Sequence, residues 1–238
     1  MTPGTLRTVR SETVVLWDID GTLLHSHGFG VRAFVHAVER ATGQRWVPER
    51  LDFGGRTDRD IAGRILAAMG IPDPAPVAEV LDALTDVYTE LAPDLAAAVE
   101  VLPGVAESLT TLAGRGALQT LVTGNVRPAA VTKVTAAGLA HHLQIDLGGY
   151  GSDIHDVRAD LVHLALDRVA ATGQPVDRAR VWVIGDTPRD LECARASGVR
   201  CALVANGTYG FDELLDAGAD LVLPDLVDPT PLLDAIAA

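Results

Sequence analysis

The sequence predicts an α/β fold, a parallel-sheet core carrying an all-helical insertion near its start, and three observations predict it. Short apolar runs alternate with amphipathic helical stretches from Val14 onward, the pattern of strands joined by right-handed crossovers. Residues 25–98 carry helical periodicity and turn signals, with no convincing strand pattern among them. Three strand-like runs end in polar groups: Asp18-Ile19-Asp20-Gly21-Thr22, Thr123-Gly124-Asn125, and Gly185-Asp186-Thr187-Pro188-Arg189-Asp190. The core is therefore assigned to residues 1–24 and 99–238, and the helical insertion to residues 25–98.

The elements follow in order. Residues 1–12 are polar and read as a lead-in. Val14, Val15, Leu16 and Trp17 form an apolar run suited to a strand buried on both faces. His25-Ser26-His27-Gly28 reads as a loop whose two histidines have no supporting metal ligand at a useful spacing. Residues 31–41 form a helix with Phe34, Val35 and Val38 in its stripe and Gly43 as its C-cap. A short helix over 61–69 ends at Gly70 and Pro72, and the proline-rich stretch 71–76 is a turn or rigid link. Residues 77–91 make a longer helix with Val80, Leu84, Val87 and Leu91 on one face.

Leu102-Pro103-Gly104 restarts the core. A helix over 105–113 leads to a strand over 118–122, then a helix over 129–137. An apolar segment over 143–147 precedes the loop Gly148-Gly149-Tyr150-Gly151. A helix over 158–171 precedes a strand over 181–184, and Pro188 takes the first turn of a helix closed by Gly198. A strand over 201–204, a helix over 212–217, a strand over 219–223 and a helix over 231–237 complete the chain.

Composition bounds the function. The 238 residues are 48% hydrophobic but only 4% aromatic, so Leu, Val and Ala must fill the core. A net charge of −13 with no basic block argues against nucleic acid or an anionic membrane as partner. No apolar run reaches the roughly 18 residues of a membrane span. Cys193 and Cys201 have neither metal-ligand nor redox spacing, which together with the absence of a leader pattern suggests a reducing cytoplasm.

The acid pair carries the chemistry. Gly21 lets the chain turn directly after Asp20, and two carboxylates two residues apart in extended chain point the same way. Such a pair needs a cation or a shared proton, so it reads as a bivalent-metal site or as a nucleophile with an acid/base partner. The plain alternative is a solvated pair at a strand end. In the insertion, Phe53-Gly54-Gly55-Arg56-Thr57-Asp58 allows two readings. Arg56 and Thr57 suit oxyanion binding; equally, Thr57 or Asp58 suits capping of the next helix.

Asp18-Ile19-Asp20-Gly21-Thr22 resembles the first motif of the haloacid dehalogenase (HAD) superfamily, and Asp20 points to its phosphatase and phosphomutase branch. Thr123, the basic Arg158 and the pair Asp186 and Asp190 follow in the order of that superfamily's other motifs, and the helical insertion resembles its cap. His25 departs from the acidic residue often found there. The resemblance, over about residues 13–225, implies a Rossmann-like core and a Mg²⁺-dependent phosphatase of the phosphoglycolate phosphatase or β-phosphoglucomutase type. Its partner would be a small phosphorylated metabolite.

It implies Asp18 as nucleophile and metal ligand, Asp186 as a second ligand, and the Asp20 carbonyl as a third. The Asp20 carboxyl would then serve as acid and base. Thr123, the amides of Gly124 and Asn125 and Arg158 would hold phosphoryl oxygens, with Arg56, on a loop that in the family often reaches over the substrate, as a further phosphate contact. Asp190 would orient Arg158 or a metal-bound water, and helix capping is its plain alternative. Lys133, the single lysine, is placed beside an apolar stripe and in solvent. A phosphomutase shares these motifs. A phosphorylatable receiver or a degenerate binding protein is the reading from another class, opposed by the helical insertion and by the retained acids.

Overall fold

The structure, a computed structural model, describes residues 13–48, 53–71, 76–153 and 157–237. The expected lead-in over 1–12 and most of the proline-rich link over 71–76 lie outside the described residues. The chain starts with β1 (Val14–Trp17), then β2 (Leu24–His25) and helices α1 (Phe29–Thr42), α2 (Asp58–Ala68), α3 (Val77–Glu90) and α4 (Ala92–Ala98). β3 (Glu100–Val101), α5 (Val105–Gly114), β4 (Leu118–Thr123), α6 (Arg127–Ala136) and β5 (Gly149–Tyr150) follow. The last third holds α7 (Asp160–Ala171), β6 (Val181–Gly185), α8 (Pro188–Ser197), β7 (Arg200–Val204), α9 (Phe211–Ala217), β8 (Leu221–Leu223) and α10 (Thr230–Ala237).

Among the described residues, six strands form one parallel sheet in the order β5-β4-β1-β6-β7-β8. The expected α/β parallel-sheet fold is borne out. From β1 the chain first builds outward through β4 to β5. It then returns through α7 to β6 on the other side of β1, so the winding reverses at β1. Open α/β sheets bind ligands beyond the carboxyl ends of the strands at such a reversal.

Side-chain alternation explains how one sheet buries both faces. Val15, Trp17, Trp182 and Ile184 pack on one face with Val105, Leu109, Leu112, Val134 and Leu232 of α5, α6 and α10. Val14, Leu16, Val181 and Val183 pack on the other with Leu161, Ala165, Leu191 and Leu214 of α7, α8 and α9. A third cluster joins α1, α2 and α3 through Phe34, Val38, Ile65, Leu84 and Val87, and it takes in Val126 and Ala129 beside and on α6. Helix α6 therefore lies between the sheet and the helical insertion.

Two short elements differ from expectation. His25 sits in β2, which pairs antiparallel with β3 where the chain enters and leaves the insertion. Gly149 and Tyr150 form β5 against β4 instead of a loop. Two-residue strands have no periodicity to detect, and partners distant in sequence decide them. Other boundaries differ by a residue or a few, as ends fray into capping turns.

Candidate active site

Strand register brings the polar groups together. Trp17 pairs with Leu121 on one side and Ile184 on the other, so Asp18, Thr123 and Asp186 emerge within one or two residues of a common level. The Asp18 amide donates to the Ile184 carbonyl at 2.9 Å, extending the ladder to the site's edge. Gly21 turns the chain with φ +83°, and a Cβ there would meet an Asp186 carboxylate oxygen at 2.3 Å. Both reasons exclude a side chain at that position.

Asp18, Asp186 and Asp190 are buried, and one carboxylate oxygen from each lies within 4.8 Å of the others. Burial pushes Asp18 up to about 6, with Asp190 and Asp20 adding to the rise and Arg158 opposing it. Burial, then Asp190 and Asp18, raise Asp186 well above the ordinary carboxylate range. Such an acidic cluster is what a cation relieves, and an all-oxygen donor set suits Mg²⁺. Thr22, 0% exposed, donates its hydroxyl to Asp186 Oδ1 at 3.2 Å. The sequence reading missed this role.

Arg158 lies just before α7 and is almost buried. Its Nη2 is 2.7 Å from Asp190 Oδ1 and 3.3 Å from Asp18 Oδ2, while its buried Nε has no hydrogen-bond partner. Burial alone would lower the guanidinium's pKa, but Asp190 and Asp18 outweigh it and raise it. A buried cation with an unused donor is poised for an anion's oxygen. Asp190 contacts Arg158 and also caps a helix. Its Oδ1 takes Arg158, while Oδ2 accepts from the Thr187 amide at 3.1 Å and hydroxyl at 2.8 Å, closing the capping box of α8.

On the opposite side Lys133 overturns its expected solvent position: its side chain is only 4% exposed. Its Nζ donates to Asp20 Oδ1 at 2.8 Å, Asp20 Oδ2 at 2.6 Å and Asn125 Oδ1 at 2.7 Å. The face assignment assumed one apolar stripe on α6. The helix is covered on two faces, by the sheet and by the insertion, and Lys133 occupies the seam. Burial would lower its pKa, but Asp20 and Asp58 are among the groups that outweigh it and hold the ammonium charged. Asn125 Nδ2 donates to Asp20 Oδ2 at 2.9 Å and Thr123 Oγ1 at 2.8 Å. The Thr123 hydroxyl thus accepts within the protein and keeps its proton to donate elsewhere.

The insertion closes the site from above. Arg56 faces the cavity and pairs with Asp60 at 2.7 Å, while Thr57 caps α2 by accepting from the Asp60 amide at 3.2 Å. Thr57 therefore serves as the cap, while Arg56 lines the cavity. Gly124 touches the same loop: its carbonyl accepts from the Asp58 amide at 2.8 Å, and a Cβ on it would lie 2.0 Å from the Arg56 carbonyl oxygen. Buried Asp58 accepts the Val126 amide at 2.7 Å, so that amide is committed to the insertion. Burial pushes Asp58 up to about 6 despite nearby Lys133.

A cavity of about 450 Å³ unites Asp18, Asp20, Thr123, Asn125, Lys133, Arg158 and Asp186 with Arg56 and the apolar Val31, Phe34, Phe53 and Ile61. Asn206, Gly207 and Thr208 after β7 also line it. They were missed, although their place after the neighbouring strand was the available signal. No helix among the described residues is long and apolar enough to cross a membrane. The free cysteines Cys193 and Cys201 are buried and do not line this cavity.

Comparison with known proteins agrees with this arrangement. The chain is 28% identical over 232 residues to a phosphoglycolate phosphatase of Cupriavidus necator, covering 94% of this chain and 96% of that protein. A hydrolase from Pseudomonas syringae superposes with a TM-score of 0.70 at 23% identity, covering 95% of this chain and all of the other. CbbY from Rhodobacter sphaeroides in complex with phosphate gives 0.71 at 22% identity, over 91% and 96% of the two chains. The sequence model of haloacid dehalogenase-like hydrolases matches residues 13–198, which takes in every strand end that carries an acid of this site. The expected enzyme, a hydrolase, is thereby borne out: the chain belongs to the haloacid dehalogenase-like hydrolase family.

Proposed function

We propose that the protein is a Mg²⁺-dependent phosphatase that hydrolyses a small phosphorylated metabolite through a phosphorylated Asp18. The observation that carries this reading is the meeting of Asp18, Asp186 and Asp190 within 4.8 Å beside the buried Arg158. The phosphatase names of the relatives support it. Asp18, Asp186 and the Asp20 backbone carbonyl would hold the ion, and Asp190 would stay on Arg158. Bound there, Mg²⁺ supplies charge neutralisation for an anionic substrate among carboxylates.

The chain's own groups do the rest. The Asp18 carboxylate attacks phosphorus in line with the leaving oxygen. Arg158, the Thr123 hydroxyl and the backbone amides of Gly124 and Asn125 hold the equatorial oxygens. Asp20 gives a proton to the leaving oxygen and takes one from the water that later attacks the acyl phosphate. Residues 25–98 act as a cap, with Arg56 at the rim, and exclude bulk water during transfer.

The test is a panel of phosphomonoesters, 2-phosphoglycolate among them, assayed with Mg²⁺ and with chelator. Turnover that stops with chelator and returns with Mg²⁺ is expected, and Mg²⁺ should raise the Tm of wild type more than that of Asp186→Asn. Full turnover in metal-free buffer defeats the reading, and a requirement for a sugar bisphosphate redirects it to a mutase.

A further inference from the structure

Lys133 spends every donor it has on two neighbours. An ammonium has three N–H groups, and its three contacts are both Asp20 oxygens and Asn125 Oδ1. Asn125 then uses its amide hydrogens on Asp20 and Thr123. Its side chain cannot flip without setting an N–H against the ammonium. The result is a closed network in which Asp20 has one orientation, although its own side chain is 42% exposed toward the cavity. A half-exposed aspartate without such partners would sample several rotamers.

The other side of the ammonium belongs to the insertion. The Tyr88 ring of α3 lies 5.7 Å from Nζ, and buried Asp58 of α2 is close enough to act on its charge. The titratable groups that act on Lys133 include Asp20 from the core and Tyr88 and Asp58 from the insertion. With the insertion in place the ammonium is almost dry, so water competes for its bonds to Asp20 only from the carboxylate side. Lifting the insertion away would hydrate it and loosen Asp20.

We propose that Lys133 is a positioning residue which aims the Asp20 carboxyl at the leaving oxygen, and that docking of Tyr88 and Asp58 over it couples this aim to closure. The inference rests on the reading of Asp20 as acid and base. Lys133 has no donor left for the substrate, because all three are spent on Asp20 and Asn125, so it acts through Asp20. Its removal should slow proton delivery and leave attack by Asp18 largely in place.

The experiment is a double-mutant cycle of Lys133→Met and Asp20→Asn, read against phosphomonoesters whose alcohols range from alkyl to nitrophenyl. Lys133→Met should lower kcat roughly 10- to 100-fold for alkyl phosphates, a part of the roughly 10²–10⁴ that an acid/base group supplies. The loss should shrink at least severalfold for nitrophenyl phosphate, whose leaving group needs no proton, with KM shifted less than kcat. In the Asp20→Asn background Lys133→Met should add almost nothing. Equal loss along the whole series, or full additivity, overturns the proposal. If Asp20→Asn alone is silent, the acid/base reading itself has failed, a separate result. Lys133→Gln, which keeps two donors without charge, is run through the same cycle should the methionine variant not fold.

Discussion

The two aspartates of the first strand end stand beside two buried cations, and the two pairs are built differently. Arg158 meets Asp18 and Asp190 wholly within the sheet domain, two residues before α7 and at the start of α8. Lys133 meets Asp20 at a seam where the sheet, α6 and the helical insertion converge. The first pair is fixed by the fold of the core. The second depends on how the insertion sits, through Asp58 and Tyr88. On the proposed mechanism, neighbouring carboxylates would thereby differ in sensitivity, one to substrate charge and one to closure.

The largest expected effect tests the core pair. Asp18→Asn should abolish turnover and leave no phosphoenzyme in acid-quenched reactions with radiolabelled substrate, since an amide is a far poorer nucleophile. Near-normal turnover would mean that the nucleophile lies elsewhere. Asp20→Asn should slow turnover by roughly 10²–10⁴, yet still permit slow phosphorylation of Asp18 by esters with good leaving groups; burst kinetics would read this. Arg158→Ala should lose about 3 kcal/mol of transition-state stabilisation, in the range of a lost charged or oxyanion contact. Arg158→Lys should recover part of it, because a point charge replaces some of the fork. If kcat/KM is the same for all three Arg158 forms, the two pairs differ less than their geometry indicates.

The smallest effect concerns the seam and is read as stability against pH. Asp58 is pushed up to about 6 in the folded protein from an ordinary value of 3.8. Below both values each state holds the proton. As pH rises between them the unfolded chain ionises first, so the wild type loses stability across about pH 4–6 and then levels off. Asp58→Asn keeps an oxygen for the Val126 amide and lacks this titration. Its stability relative to wild type should therefore climb over the same window, by at most about 3 kcal/mol at about 1.36 kcal/mol per pKa unit. Urea denaturation at several pH values checks it, and a difference that stays flat from pH 4 to 7 contradicts it.

What the sequence revealed follows from where its signals are local. Val14 to Trp17 followed by Asp-x-Asp-Gly-Thr needs no distant information to read as a buried strand ending in an acid pair. Asp186 and Asp190 follow a strand in the same way. Lys133 was misread because a helix covered on two faces keeps only a narrow solvent side, and nothing in Val131, Thr132 or Val134 says that Phe34 and Val87 will pack nearby. Asp58 looked like a cap because its partner, the Val126 amide, lies 68 positions away. Thr22 was hidden for the same reason, its acceptor Asp186 being 164 positions distant. Alternation and punctuation locate strand ends, whereas contacts between layers require the layers.

The contact between Gly124 and the carbonyl of Arg56 bears on engineering. The phosphate-side loop and the insertion's 53–58 loop fit backbone to backbone, with no room for even a methyl group. Exchanging the insertion for that of a relative to alter selectivity would bring a foreign loop onto this glycine. A chimera cut only at β2 and β3 would leave that junction mismatched. The transferable module is the insertion together with residues 123–126, moved as one piece.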